Sequence, residues 1–160
     1  MSADETGNPT GPTDPSPAEV LRQRRLALVR RHMASENEFD FATTMTTFEH
    51  PRYELIGTGE VFDGPEEVAG YYQRSRTSFP DQRNEHVVLH AAADAVIAEF
   101  DLLGTHRGAL GDLAATGRTF RCRMCALFLF APGGERIVCE RVYFDLGTIA
   151  RQLRGPGGQS

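Results

Sequence analysis

The stretch AVIAEFDLLGTHRGALGDLAATGRTFRCRMCALFLFA, residues 95–131, decides the fold. Residues 95–106 and 119–131 alternate between apolar and other side chains, which predicts two long β-strands. One face of each strand is apolar, with Val96, Ala98, Phe100 and Leu102 in the first strand and Phe120, Cys122, Met124, Ala126, Phe128 and Phe130 in the second. A long connector rich in small residues joins the strands. His106 therefore stands on the apolar face at the end of the first strand.

The flanking residues predict an α+β fold in which three helices precede most of the sheet. Helix starts are predicted at Ser16-Pro17-Ala18-Glu19, at Ser35-Glu36-Asn37-Glu38 and at Asp63-Gly64-Pro65-Glu66, with ends near Met33, Pro51 and Pro80. Further strands are expected at 53–56, 60–62, 85–91 and 135–145, and a short last helix at 148–153. We predict one domain over 16–154, with disordered tails at 1–15 and 155–160.

Composition and charge exclude several classes of protein. The chain has 40% hydrophobic and 24% charged residues, which is typical of a globular domain. The apolar run 125–132 is too short to span a bilayer, and the first residues contain no apolar run that would indicate a signal peptide. The net charge of −5 argues against a nucleic-acid partner, so we interpret the basic stretch 22–31 as the solvated face of the first helix. Three cysteines and no leader favour a cytoplasmic location.

Several short motifs occur along the chain in a definite order. They are His50-Pro51, the turn 59–64, Phe79-Pro80-Asp81, the stretches 104–108 and 115–118, Asp145-Leu146-Gly147 and Arg151-Gln152-Leu153. In this order they resemble the SnoaL-like polyketide cyclases, a family of the nuclear transport factor 2-like superfamily. The resemblance implies a cone-shaped barrel, in which a strongly curved antiparallel or mixed sheet wraps around three N-terminal helices and encloses a hydrophobic pocket. It also implies a homodimer and places the connector 107–118 at the pocket rim.

The resemblance further implies an acid–base enzyme. An aspartate near the end of the last strand serves this family as general acid/base, and Asp145 is the matching residue. A carboxyl group in an apolar pocket has a raised pKa and can take a proton from the carbon beside a carbonyl, as an intramolecular aldol closure requires. His106 and Tyr143 are candidates to stabilise the oxyanion. Asp145 as a helix cap, His106 as a rim residue and Tyr143 as a packing residue remain open.

Ligand contacts and cofactors complete the prediction. We expect a small hydrophobic ligand to contact Tyr143, Arg141, Phe100, Phe120, Met124, Phe41 and Tyr53. The chemistry requires no cofactor and no metal, and we interpret His86, His90 and the pair Cys122 and Cys125 as structural.

Two observations leave the chemistry open. In the last strand, Cys139, Arg141, Tyr143 and Asp145 share one face and Val138, Glu140, Val142 and Phe144 share the other. The pattern does not decide which of the two faces the pocket. The family often has a tryptophan in this strand, whereas this chain contains none, and the difference bears on the substrate class.

Three functions follow for the same pocket. The first is the acid–base cyclase-type enzyme. The second is an isomerase, a dehydratase or an epoxide hydrolase, the last requiring paired aspartates around an arginine, such as Asp101, Arg141 and Asp145. The third is a non-catalytic binding or dimerisation module whose open sheet face carries cross-strand ion pairs among Glu99, Asp101, Arg121 and Arg123.

Overall fold

Four helices and six strands form the part of the protein, residues 14–156, that the computed structural model describes. They are α1 Pro17–Asn37, α2 Phe41–Thr46, β1 Arg52–Leu55, β2 Glu60–Asp63, α3 Pro65–Ser78, β3 Arg83–Ala91, β4 Ala95–Thr105, β5 Thr119–Phe130, β6 Ile137–Tyr143 and α4 Leu146–Arg154. The strand order is β2-β1-β6-β5-β4-β3. All neighbours are antiparallel except β1 and β6. The predicted α+β class with a mixed sheet is confirmed, although the sheet is open and has β2 and β3 as its edges.

The alternating stretch forms the centre of the sheet. β4 and β5 pair along their whole length, from Ala95 opposite Leu129 to Thr105 opposite Thr119. Phe100 lies opposite Met124, and both side chains are buried with the rest of the predicted apolar faces except Leu102, which is partly buried. Because side chains alternate across a strand, the charged residues of β4 and β5 lie on the outer face.

Helix α1 is longer than the sequence predicts. It runs without a break to Asn37, so Ser35 and Glu36 lie in its last turn and do not begin a second helix. The cap of α2 is instead Asp40, whose side chain accepts a hydrogen bond from the Thr43 amide. As a consequence His32 and Glu36 are one helical turn apart on the same face of α1.

The basic stretch of α1 includes one buried arginine, so the prediction of a fully solvated face is wrong. Arg25 is 3% exposed. Its guanidinium donates to the backbone carbonyls of Ala93, Ala131 and Gly134, at 2.7, 3.0 and 2.9 Å. It thereby satisfies the turns that join β3 to β4 and β5 to β6, which would otherwise leave carbonyl groups unpaired.

The long connector after β4 packs against the end of α3. The amides of Arg107 and Gly108 both donate to the Ser78 carbonyl, and the Ser78 hydroxyl donates to the carbonyl of Ala109. A Cβ atom on Gly108 would lie 2.3 Å from the Thr77 carbonyl oxygen, so only glycine permits this approach. These contacts hold the connector beside the cavity described below.

Two predictions concern the ends of the chain and membranes. Residues 1–13 and 157–160 of the predicted tails lie outside the described residues, and Gly155 ends α4 as its C-cap. Among the described helices, none combines the length and apolar character needed to cross a membrane.

Candidate functional site

A cavity of about 640 Å³ lies between the concave face of the sheet, α3 and the long connector. Most of its wall is apolar, including Phe79, Phe100, Leu102, Phe120, Met124 and Val142. The connector contributes residues 109–111. Polar residues line the rest of the cavity, and those that bear on its chemistry are Glu36, Tyr53, Tyr71, Arg76 and Glu140. A hollow of this size with a mainly apolar surface and convergent polar groups is typical of a site for a small organic molecule.

A buried histidine connects two of these polar groups from behind the wall. His32 is fully buried and lies between the rings of Phe48 and Phe128. Thr47 donates its hydroxyl proton to the Thr44 carbonyl, so it accepts a hydrogen bond from Nδ1 of His32 at 2.8 Å. This contact fixes the ring and directs Nε2 at the carboxyl groups of Glu36 and Glu140, which are 3.6 and 3.1 Å away.

The Tyr53 hydroxyl links the network to the cavity. It donates to Oε1 of Glu36 at 2.9 Å, and it lies 2.5 Å from the Tyr72 hydroxyl and 3.1 Å from Nε2 of His32. One donated and two accepted hydrogen bonds satisfy this oxygen. The hydrogen bond of His32 Nε2 is directed at the Tyr53 hydroxyl. Oε2 of Glu140 lies close to the imidazole but has no aligned hydrogen-bond partner among the described residues, although it is buried.

The two carboxyl groups differ in pKa. Burial and the nearby charge of Glu36 raise the pKa of Glu140. Burial acts in the same direction on Glu36, but the hydrogen bond and charge of His32 outweigh it and lower the pKa of Glu36. Burial alone would lower the pKa of His32, yet its contacts with Glu140 and Glu36 raise it to about 9. Near neutral pH the network therefore holds an imidazolium, a Glu36 carboxylate and a more readily protonated Glu140.

The same three residues are the ones that could bind a cation. One ligand atom from each of His32, Glu36 and Glu140 lies within 4.8 Å of the other two, in the part of the chain that the structure describes. An imidazolium cannot coordinate a metal, however, and a cation would have to displace its proton. The raised pKa of His32 favours a proton in this position.

Asp145 lies outside the cavity, and the expectation that it is enclosed in an apolar pocket with a raised pKa is wrong. Its side chain is 64% exposed and caps α4, accepting hydrogen bonds from the Gly147 amide and the Thr148 hydroxyl at 2.9 and 2.6 Å. The Thr148 hydrogen bond, assisted by the backbone amides, lowers its pKa. The capping alternative that the sequence left open describes this residue.

His106 is buried but does not line the cavity. Its Nδ1 accepts a hydrogen bond from the Thr116 amide at 3.2 Å, so the ring fastens the far end of the long connector. Its other nitrogen, Nε2, is buried without a partner among the described residues, and the ring lies 5.5 Å from that of Phe79. The geometry corresponds to the structural alternative for His106.

Four of the predicted ligand contacts line the cavity and three do not. Tyr53, Phe100, Phe120 and Met124 belong to its wall. Phe41 lies behind the wall, stacked on Tyr72 at a centroid distance of 4.4 Å.

The last strand turns its other face to the cavity. Glu140 and Val142 of β6 line it, whereas Arg141 and Tyr143 point away from it because neighbouring side chains alternate. Arg141 forms an ion pair with Glu54 at 2.6 Å, and Tyr143 is 41% exposed.

The aspartate–arginine set considered for epoxide opening is not assembled. Asp101 lies on the outer face of the sheet, where it pairs with Arg121 and Arg123 at 3.6 and 3.5 Å. These two contacts are cross-strand ion pairs of the kind the sequence predicts. Asp101, Arg141 and Asp145 all lie outside the cavity wall.

Sequence reasoning missed the residues of the buried network, although the sequence contains two signals for them. His32 and Glu36 interrupt the apolar side of α1 at a spacing of four, and ending the helix at Met33 concealed their common face. Glu140 is the single carboxyl among apolar residues on its face of β6. A charged residue on an apolar face is informative because burial of an unpaired charge is costly.

Comparison with solved structures shows the same fold in several bacterial proteins. A candidate polyketide cyclase from Xanthomonas campestris pv. campestris has a TM-score of 0.75 and 23% identity, over 83% of this chain and 98% of that one. A phenazine biosynthesis-related protein from Pseudomonas aeruginosa has a TM-score of 0.73 and 19% identity, over 94% and 93%. A protein with a ketosteroid isomerase-like fold from Catenulispora acidiphila, solved with trimethylamine, has a TM-score of 0.68 and 20% identity, over 83% and 96%.

Sequence comparison gives the family. A search of curated proteins found no match. The profile described as SnoaL-like polyketide cyclase matches residues 26–153, which include nearly all of the described elements and every residue of the buried network. The chain therefore belongs to the SnoaL-like polyketide cyclase family.

Proposed function

We propose that this protein is an acid–base enzyme that moves a proton at the carbon beside a carbonyl of a hydrophobic, polyketide-like compound, and that Glu140 is the group that takes and returns it. The observation that carries the proposal is a carboxyl group with a raised pKa in the wall of an apolar cavity. A base is most effective when its pKa is near the working pH, because it is then both available and strong enough.

The environment of Glu140 supports a role in proton transfer. Its Oε2 has no well-aligned hydrogen bond from the described residues, and burial together with the charge of Glu36 outweighs the stabilising effect of His32 at 3.1 Å, so the carboxylate is more basic than an exposed one. His32 lies behind the cavity wall and contacts both Glu140 and Glu36, at 3.1 and 3.6 Å. The reaction moves the C–H proton to the Glu140 carboxylate and leaves an enolate, which attacks a second carbonyl of the same molecule or is reprotonated. Glu140 then returns the proton, either to the alkoxide formed by that attack or to the carbon of the enolate. The enzyme is regenerated, and the reaction needs no cofactor.

Tyr71 is the residue we propose to stabilise the enolate oxygen. It lines the cavity, and its hydroxyl has no hydrogen-bond partner among residues 14–156. Burial and the charge of Glu36 raise its pKa, so it stays protonated and can donate to a developing oxyanion.

The decisive experiment measures proton transfer without knowledge of the natural substrate. The protein is incubated in D₂O with bicyclic ketones such as 2-tetralone, and deuterium incorporation beside the carbonyl is followed by NMR. Glu140→Gln should slow the enzyme-dependent exchange by roughly 100-fold or more, because general acid–base catalysis contributes about that much. Glu99→Gln on the outer face is the matched control and should exchange like the wild type.

Asp145→Asn decides between the two carboxyl groups. Exchange that is lost in Asp145→Asn but kept in Glu140→Gln would reject our assignment and favour the aspartate that the family resemblance indicates. A homodimer through the outer sheet face also remains part of the proposal, because this face presents charged rows between two open edges.

A further inference from the structure

Arg76 is a half-buried cation in the cavity wall with unused hydrogen-bond donors. Its Nη1 donates to the Ser75 hydroxyl at 2.8 Å, while Nε is buried without a partner. Among the described residues, no carboxylate oxygen lies within 4.0 Å of the Arg76 guanidinium. By contrast, the nearby arginines Arg52, Arg74 and Arg141 each form an ion pair. Buried polar groups normally have a partner, so the free donors of this guanidinium require an explanation.

Aromatic rings hold the Arg76 guanidinium in place. Its central carbon lies 5.1 Å from the centroid of the Phe41 ring and 6.0 Å from that of Tyr72. Stacking on ring faces orients the planar group without consuming its N–H donors, which lie in the plane. The side chain is therefore ordered before any ligand arrives.

The other charged side chains that line the cavity are each in direct contact with a group of opposite charge. Glu36 and Glu140 both contact His32, at 3.6 and 3.1 Å, and Glu36 acts on Arg76 only from beyond ion-pair distance. At the rim, Glu60 lies 3.6 Å from Arg74 and compensates it. Arg76 is permanently charged, and among the described residues it is the one charged group of the wall without an ion-pair contact.

We propose that the ligand of this cavity carries an acidic group, such as a carboxylate, and that Arg76 binds it. This inference deepens the proposed function and rests on the cavity as its ligand site. A carboxylate matches the fork of N–H donors of a guanidinium and would give the free donors of Arg76 a charged partner. Arg76 then orients the substrate by its acidic end, while the apolar wall holds the remainder and Glu140 meets the reacting carbon.

The test compares two probes that differ only in this group. Binding of 2-naphthoate and of 2-naphthamide is measured by isothermal titration calorimetry at pH 7. The wild type should bind the carboxylate roughly tenfold or more tightly than the amide, since hydrogen bonds to charged groups are the stronger class. Arg76→Gln should reduce this ratio to about one, and Arg76→Lys should keep part of it. The control Arg30→Gln, exposed on α1 and outside the cavity wall, should keep all of it.

Each outcome of this comparison supports or overturns the role of Arg76. Equal affinity of the wild type for both probes, or no measurable affinity for the carboxylate, overturns the proposal, and so does a preference that persists in a folded Arg76→Gln. The wild-type comparison holds even where a variant fails to fold. Failure of the acid–base function is separate: it appears as normal deuterium exchange in Glu140→Gln, whatever the probe preference is.

Discussion

The buried network predicts that the protein loses stability as the pH rises from 6.5 to 9. His32 has an ordinary pKa of 6.5, which the fold raises to about 9. A raised pKa means that the folded state binds the proton more tightly than the unfolded state does. The stabilisation from His32 is therefore complete below pH 6.5 and is lost as the pH passes through about 9.

The size of the effect follows from the shift in pKa. One pKa unit corresponds to about 1.4 kcal/mol, so His32 contributes up to about 3 kcal/mol, a large part of the stability of an ordinary domain. Glu140 acts with the same sign, because its pKa is also raised, and its contribution is lost as the pH rises from 4.5 through its folded value. Glu36 has a lowered pKa and weakens the fold only on the acid side, below 4.5.

Urea unfolding at pH 6, 7.5 and 9 measures this effect as a fall in the free energy of unfolding. His32→Gln removes the titrating group and should flatten the curve between pH 6.5 and 9. It should also lower stability at pH 6, because it removes the partner of a buried carboxylate. His86→Gln, on the exposed outer face, is the matched control and should keep the wild-type slope.

Two results would refute the electrostatic interpretation. One is a free energy of unfolding that is constant between pH 6.5 and 9 in the wild type. The other is an NMR titration in which the imidazole signal absent from His32→Gln has a pKa below about 7. Either result would mean that His32 is a neutral packing residue and that Glu36 and Glu140 do not hold its proton.

Two substitutions test other parts of the fold by thermal and urea unfolding. Arg25→Leu leaves the carbonyls of Ala93 and Gly134 without a donor and removes one of the two donors to the Ala131 carbonyl, so it should cost roughly 3 kcal/mol or more. Arg30→Leu, exposed on the same helix, should leave the midpoint nearly unchanged. Gly108→Ala forces a Cβ against the Thr77 carbonyl and should cost about 1–3 kcal/mol. Its control is Gly70→Ala in α3, where the added Cβ meets open space, so this substitution should stabilise the helix. A Gly108→Ala variant as stable as the wild type would show that the connector is not anchored there.

The fold could be predicted from the sequence because its signals are local and long. Alternation over eleven residues of β4 and twelve of β5 leaves one register in which both apolar faces are buried. The boundary of α1 was missed because Ser35-Glu36 has the form of a cap. In the folded chain the Ser35 hydroxyl bonds the His32 carbonyl and Thr44, so packing against α2 replaces the capping role.

The site was harder to predict because it depends on which face of β6 turns inward. β6 lies between β1 and β5, and Cys139 on one face and Val142 on the other are both buried. Hydrophobicity therefore does not separate the two faces. The choice is made by the parallel pairing of β6 with β1, in which Tyr53 lies opposite Glu140. The two strands are far apart in the chain, so no local pattern contains that information.

A carboxyl group's surroundings, and not its nearness to the end of the last strand, determine whether it can move a proton. Asp145 receives hydrogen bonds from the start of α4, which stabilise its charged form and make it a weak base. Glu140, five residues earlier on the inner face, lacks such donors at Oε2 and lies near a second carboxylate, so its charged form is disfavoured. The two residues therefore offer opposite acid–base properties on one strand end. Of the two, only Glu140 adjoins a space that can hold a substrate, and this combination is why we assign proton transfer to it.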